Sequence, residues 1–521
     1  MDKETSKRLR KRLFYHLDGL AMSGIVPVLD DQKVLERSFV SGGDVDELAR
    51  EYRANSGYLN VALRMLCSQG LLEAVRSEDK IHYRPAVGAE SSTWFKHSKA
   101  YATGSAWLKE IVGQWNTPSE PLQSSAIIAM DVLLDAWADM PDDGIKSRIK
   151  NHLEGALVSP WLVTLGTIHG TKPITSWEEH DAAVVKMHHT RQEAWGKIMQ
   201  ALGWDRTEEG AFFLRRSAAY GVTTSYTKTF IWSKEIIFGD GAYLWRIEPG
   251  DNEIHVDRTL NVWGSGGAHK AYFSHLDEVV VGIFNAPLEE QPKGICDMGC
   301  GNGALLLHLL EVISSSTLRG KHLDSHPLSL VGADFNQEAL IATSDHFKQE
   351  GVDGHFIWGD IGDPDRLALD LWSHHSIKLG DLMSVRSFLD HNRIFNRPVV
   401  ERPEKAVSTG AFSFRGERLK LRDVEQSLKE HFQKWSPYVA KHGLLVVELH
   451  TIDPEDAAER QGGMPATAYD ATHGFADQYI VEVPVFDAMA IEAGLSIEGS
   501  SSRTFPSKLP ATVSIRFFKA E

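Results

Sequence analysis

Three apolar runs in the second half of the chain each end in aspartate: Asp297 in GICDMG, Asp334 in LSLVGAD and Asp360 in HFIWGD. Behind Asp297 come Gly299, Gly301 and Gly303, which lead straight into the apolar stretch ALLLHLL. Glycines let a backbone approach a ligand closely, and a helix N-terminus favours an accepting group. A dinucleotide fingerprint would run G-x-G-x-x-G with an acid about 20 residues further on. Here the order is D-x-G-x-G-x-G, with the acid first. Asp334 is placed to accept both hydroxyls of a ribose, and Asp360 to meet an adenine amino group with Ile361 against the ring. Three successive strand ends finishing in aspartate therefore predict a site for an adenosine ligand.

A second set of reactive side chains follows. SVRSFLDHNR (384–393) offers Asp390 and His391, and GLLVVELH ends in Glu448 and His450. YDATHGFADQYIVEV (469–483) offers His473, Asp477 and Gln478 on a loop entering a strand. Open α/β sheets take their ligands at the carboxyl ends of strands, so these loops are expected to converge on one pocket. Two histidines and a carboxylate with open positions suit Fe(II), and a carboxamide in place of the carboxylate weakens such a site without abolishing it. No short ligand spacing of the H-E-x-x-H kind is present. His450 as a general base, or as a plain strand-end cap, stays open on the residues alone.

The elements that must position these groups are legible as texture. From about residue 290, short apolar runs alternate with amphipathic helical stretches, the mark of a parallel sheet with crossovers. Strands are expected at GICDMG, LSLVGAD, GHFIWGD, GDLMSVRSF, GLLVVELH and TVSIRFFKA, giving a doubly wound α/β domain. Residues 40–90 predict two helices and a short hairpin, a winged-helix-like arrangement. Its second helix is apolar, so it is read as a packing or dimerisation module, which leaves a homodimer open. Residues 100–259 predict a helical lid, and the tryptophans dense in and just before it (Trp94, Trp107, Trp115, Trp137, Trp161, Trp177, Trp195 and Trp204) are mostly core. The expected organisation is 1–99, 100–259 and a core over 260–521. LNVWGSGGAHKAYF, just ahead of that core, is either a hinge or a segment closing over the ligand with His269 and Tyr272 near the substrate.

Composition bounds the partners. A net charge of −16 argues against a nucleic-acid backbone as principal partner. Three cysteines in 521 residues make no disulfide framework. No run of 18 or more apolar residues or signal-peptide pattern is seen, so a soluble cytoplasmic protein with no membrane partner is expected.

The three aspartate-terminated strands and the glycine turn resemble the class I S-adenosylmethionine (SAM) methyltransferases over roughly 290–521. That resemblance implies a Rossmann-like, mostly parallel sheet and a SAM site on Asp297, Gly299, Gly301, Asp334, Phe335, Asp360 and Ile361. One departure is SSSTLRGKHLDSHP, an insertion after the first helix of the core that should only lengthen a loop. NVWGSGGAHKAYF, RSFLDHNR, ELHTIDPEDAAE and ATHGFADQYIVEVPVF together resemble the iron-dependent methyltransferase domains of apratoxin-type polyketide synthase loading modules, over nearly the whole chain.

That second resemblance implies a mononuclear Fe(II) or Mn(II) on His450 and Gln478, with Asp390 or His391 as third ligand and His391 and His450 catalytic. It also implies C-methylation of a malonyl unit on an acyl carrier protein, the metal stabilising the enolate. The chain ends directly after its last expected strand and shows no carrier-protein serine motif. It is therefore read as a stand-alone enzyme or an excised domain, acting on a carrier-bound substrate or a free small acid. SKRLRKRLF (6–14) is a candidate cationic docking patch, or else a solvated helix face. The rival readings are a metal-free O-methyltransferase with His450 or His391 as base, and a SAM-binding regulator on DNA, which the acidic charge disfavours.

Overall fold

Apolar runs bounded by glycine and aspartate become the strands of one sheet. The computed structural model describes residues 1–77, 79–170, 172–246, 253–508 and 510–520, with the side chains of 89, 267–271 (His269 among them) and 500 outside that description. The chain forms two units. One comprises Met1–Ala268, Ala411–Leu419 and Asp453–Asp477; the other comprises His269–Gly410, Lys420–Ile452 and Gln478–Glu521.

In the second unit the strands are β1 (Gly294–Met298), β2 (Ser329–Asp334), β3 (His355–Trp358), β4 (Met383–Ser387), β5 (Leu444–Leu449), β6 (Leu495–Ile497), β7 (Arg503–Phe505) and β8 (Val513–Ala520). Among the described residues they make an eight-stranded sheet ordered β6-β8-β5-β4-β1-β2-β3, with β7 on β8. β1 to β5 run parallel, and β8 is inserted antiparallel between β5 and β6. β1 is buried at every position, as the central strand of a parallel sheet covered on both faces must be. The order reverses between β1 and β4, and that crevice is where such sheets bind ligands.

All six expected strands are present. β6 and β7, three residues each, were not anticipated. The inserted SSSTLRGKHLDSHP is fastened by Arg319, whose guanidinium donates to Gln291 Oε1 at 2.9 Å and to the Pro292 carbonyl at 2.8 Å. The strand expected at 479–483 does not form. Pro484 lies in the first turn of a helix, Val483–Glu492. Proline suits that position and would remove a ladder donor from a strand.

The first unit has an apolar core running from Leu9 to Leu260 and taking in Ala468, Ala471 and Phe475. The expected division at residue 100 is therefore absent from the packing, and 411–419 and 453–477, expected within the core domain, belong here instead. The expected boundary at 260 falls inside one helix, Arg258–Phe284. Helices Lys3–Asp31 and Gly144–His169 pack where Gly19 faces the backbone of His152, leaving no room for a Cβ. Helices Val45–Tyr52 and Ser56–Ser68 precede a hairpin, Leu72–Ser77 with Lys80–Pro85. Trp94, Trp107, Trp115, Trp161, Trp195 and Trp204 are all fully buried. No helix among the described residues is long and apolar enough to cross a membrane.

Candidate functional site

β1 ends at Met298, and the turn that follows carries Gly299, Gly301 and Gly303 at φ of +80°, +57° and +76°. Those left-handed values favour glycine. Around Gly301 nothing lies within 4 Å of where a Cβ would sit, so the turn opens on free space. Helix Ala304–Ser316 then points its N-terminus there.

Asp297 is buried beneath the turn, and its Oδ1 has no hydrogen-bond partner. Burial, and then the charge of Asp334, push its carboxyl well above the ordinary range. A buried carboxylate in that state is completed by a cationic ligand group. At the end of β2, Asp334 accepts from the Gly301 N–H at 3.0 Å and the Asn336 N–H at 2.9 Å. Phe335 is 57% exposed and lies 5.4 Å from the Trp358 ring, which is 42% exposed. These two large aromatics are left in solvent beside the acid, where a planar base would cover them. Past β3, Asp360 accepts from the Gly362 N–H at 2.7 Å, and Ile361 is buried with its carbonyl held by Trp435 Nε1 at 2.8 Å. Asp360 also lines a cleft of about 390 Å³ with Asp363, Ile394, Asn396 and Lys434. The donor set fits an adenosine ligand carrying a positive group: Asp297 for the cation, Asp334 for the ribose, Phe335, Asp360 and Ile361 for the base.

On the other side of the reversal, β4 ends at Ser387 and Phe388 turns at φ +55°. That is a costly conformation for a bulky residue and one that gathers at functional sites. It starts a tight turn, Asp390–Asn392. Asp390 and His391 are both buried and have different partners. Asp390 is paired with the guanidinium of Arg386 and with His431 Nε2 at 2.9 Å. Although burial opposes ionisation, Arg386 and His431 hold its carboxyl below the usual range. Arg386 is itself sandwiched over Trp435, 4.1 Å from the ring centroid. His391 instead meets Glu448 on β5: its Nδ1–H donates to Oε1 at 2.6 Å and its backbone N–H to Oε2 at 3.2 Å. The Leu449 N–H donates to Oε1 at 2.7 Å. A Nδ1–H given to a buried carboxylate puts the basic lone pair on Nε2 and fixes the ring plane.

His450, expected to be catalytic and a metal ligand, is turned away from this arrangement. It is fully buried, with Nδ1 donating to the Val481 carbonyl at 3.0 Å and Nε2 accepting from Ser514 at 2.7 Å. Its ring packs edge-on against Phe486, 5.3 Å between centroids, and burial lowers its pKa to about 3. Both nitrogens are used, so it caps a strand end within the fold.

Gln478 donates through Nε2 to Asn392 at 3.0 Å, and its Oε1 is buried without a partner. Of the four expected ligands, His450 has both nitrogens engaged and Asp390 neutralises Arg386 through one oxygen, while Gln478 Oε1 and Asp390 Oδ2 are buried without a hydrogen-bond partner. Among the described residues no three His, Cys, Asp or Glu side chains group as a metal site. With both His450 nitrogens engaged within the fold, His450 is the member of the expected ligand set that does not fit a mononuclear metal as arranged.

His473 and Asp477 fall in the first unit, where Asp477 accepts from Tyr58 at 2.9 Å and from the Arg415 N–H at 2.7 Å. Tyr272 packs edge-on against Phe388, 5.9 Å between centroids. The residues that sequence reasoning missed are Glu448 as the partner of His391, and Arg386 and His431 as the clamp on Asp390. The signal was there: Glu448 and Arg386 are the lone charges inside LLVVEL and MSVRS.

A doubly wound sheet with this order, a glycine turn after β1 and acids closing β2 and β3 define a class I SAM-dependent methyltransferase. Residues 253–516 match the family described as the AprA MT2-like domain, and residues 9–74 match the AprA N-terminal domain. The chain belongs to the AprA MT2-like family, is apratoxin-type in its domains, and is a SAM-dependent methyltransferase. No curated protein matches it.

Among solved structures it is similar to the mitomycin 7-O-methyltransferase MmcR, at 10% identity over 96% of this chain and 94% of that one, with a TM-score of 0.30. It is also similar to an O-methyltransferase family 2 protein from Planctomyces limnophilus, at 10% identity over 99% and 96% of the two chains, TM-score 0.39. The CurJ carbon methyltransferase aligns at 10% identity over 100% and 94%, TM-score 0.36. Likenesses this distant carry no part of the assignment.

Proposed function

We propose that the enzyme methylates the α-carbon of a malonyl-type acyl thioester, with His391 as general base and Glu448 orienting it. The observation that carries this reading is the 2.6 Å contact between His391 Nδ1 and Glu448 Oε1 at the ends of adjacent strands. The acyl-thioester carbon as acceptor is supported by membership of the AprA MT2-like family. When bound, SAM supplies an electrophilic methyl group. Asp297, the glycine turn, Asp334, Phe335, Asp360 and Ile361 are the residues that would hold it.

The α-proton, acidified by the carbonyls on either side, passes to His391 Nε2. The electron pair it leaves forms the new carbon–carbon bond as the carbon–sulfur bond breaks, and that bond's pair stays on sulfur. Glu448 stabilises the imidazolium and keeps the ring turned toward the substrate. The clamp of Arg386 and His431 on Asp390 holds the turn that carries His391. No step is routed through a metal, because the His450 Nε2 lone pair is taken up by the Ser514 hydroxyl.

The test is product analysis. Malonyl-pantetheine and SAM are incubated with the enzyme, and the product is read by mass spectrometry and carbon NMR. A new methyl on the α-carbon, lost with His391→Ala, supports the proposal. A methyl on oxygen, or a product untouched by His391→Ala, overturns it.

A further inference from the structure

Residues 3–12, KETSKRLRKR, hold six cationic side chains against one carboxylate, in a chain whose net charge is −16. All lie in the first turns of helix Lys3–Asp31. Helical spacing sorts them into two stripes. Arg8 and Arg12 both pair with Glu209, and Arg12 also meets Glu154 at 2.6 Å, so that stripe is neutralised. Lys3, Lys7, Arg10 and Lys11 recur at i, i+4, i+7 and i+8, are all exposed, and make no ion pair among the described residues.

A second element adds to this face. After helix Glu208–Leu214 come Arg215 and Arg216, also without an ion pair among the described residues. The Arg216 guanidinium lies 3.8 Å from the centroid of Phe212, which fixes its plane. Burial, with the nearby charges of Arg215 and Arg10, lowers its pKa, so these three arginines share one neighbourhood. Cations that repel one another and make no ion pair among the described residues are a configuration that an anionic partner relieves.

We infer that this cationic face docks an acidic carrier protein that presents the acyl thioester, an inference that rests on the thioester reading above. From Lys3 to Lys11 the stripe runs about 12 Å along the helix at 1.5 Å per residue, longer than a single phosphate group and matched to an acidic helix. The surrounding acidic chain disfavours a nucleic-acid backbone, whose charge would extend well beyond the patch.

The test uses the full-length chain and a fluorescently labelled, strongly acidic acyl carrier protein loaded with malonate. Binding is followed by anisotropy, and methylation is assayed separately on malonyl-pantetheine, which has no carrier. The wild type should bind, more weakly as salt is added. Lys7→Glu with Arg10→Glu and Arg215→Glu should weaken binding about tenfold or more, with the pantetheine rate unchanged. The milder Lys7→Gln, Arg10→Gln, Arg215→Gln variant should show an intermediate loss, which separates charge from misfolding. No binding by the wild type, wild-type binding by the charge-reversed chain, or preference for a DNA duplex would each overturn the inference. If the carrier binds as expected while malonyl-pantetheine is not methylated, the thioester reading fails and the docking face stands.

Discussion

Glu448 accepts three hydrogen bonds, two from His391 and one from Leu449, and is the only charge within the apolar strand that carries it. A carboxylate so occupied orients the imidazole and stabilises it once protonated. Glu448→Gln keeps the shape and loses the charge, so methyl transfer should slow by on the order of 10²-fold or more. Single-turnover kinetics with SAM in excess would check this, with SAM affinity unchanged. Asp390 has a different job. Its carboxylate neutralises Arg386, which is fully buried, so Asp390→Ala strands a charge and should cost about 3–5 kcal/mol of stability. Urea unfolding reads that loss. His450 was visible in the sequence as a histidine at a strand end, but not which way it turned. That was decided by Ser514 on the antiparallel strand β8 and by the Val481 carbonyl, 64 and 31 residues away. Long-range partners leave no trace in local spacing.

The turn between β1 and its helix positions the cofactor, and its glycines are needed for more than space. Gly299 sits at φ +80°, and a Cβ there would come within 2.9 Å of Leu389 Cδ2. Leu389 directly precedes Asp390, so the clash reaches the turn that carries His391. Gly299→Ala should therefore weaken SAM binding about tenfold or more and slow transfer too, given about 1–2 kcal/mol for the left-handed residue alone. Calorimetric titration with SAM measures the first effect. At this scale most of the fold was legible. The strands are apolar runs between glycine and aspartate, and the three acids mark their carboxyl ends. β6 and β7 were missed because three residues are too short to show a period, and 479–483 misled because a buried apolar run reads as a strand until Pro484 is given its weight.

For the molecule as a whole, the returns of 411–419 and 453–477 to the first unit were invisible, since nothing local distinguishes a loop that rejoins another core. Asp18 shows what such a return does. It accepts from Gln69 at 3.1 Å and from the Ala468 N–H at 2.9 Å, and burial pushes its pKa up to about 8. The folded state thus holds this proton more tightly than the unfolded chain. Its contribution is fully present below about pH 4 and is lost as pH rises through about 8. Burial pushes Asp477 the same way, to about 6, while it lowers His431 and His255 to about 4, so the histidines gain stability over part of that range. The wild type should therefore lose more stability between pH 4 and 8 than Asp18→Asn does, and thermal melts across that range give the difference. His391, and not His450, is proposed to carry the chemistry. The most direct test is the single-turnover methylation rate of malonyl-pantetheine by His391→Ala and His450→Ala, each corrected for the folded fraction. His391→Ala should fall by about 10²–10⁴-fold, with His450→Ala less stable but within about tenfold of wild type. A full rate in His391→Ala, or a comparable collapse in folded His450→Ala, would contradict it.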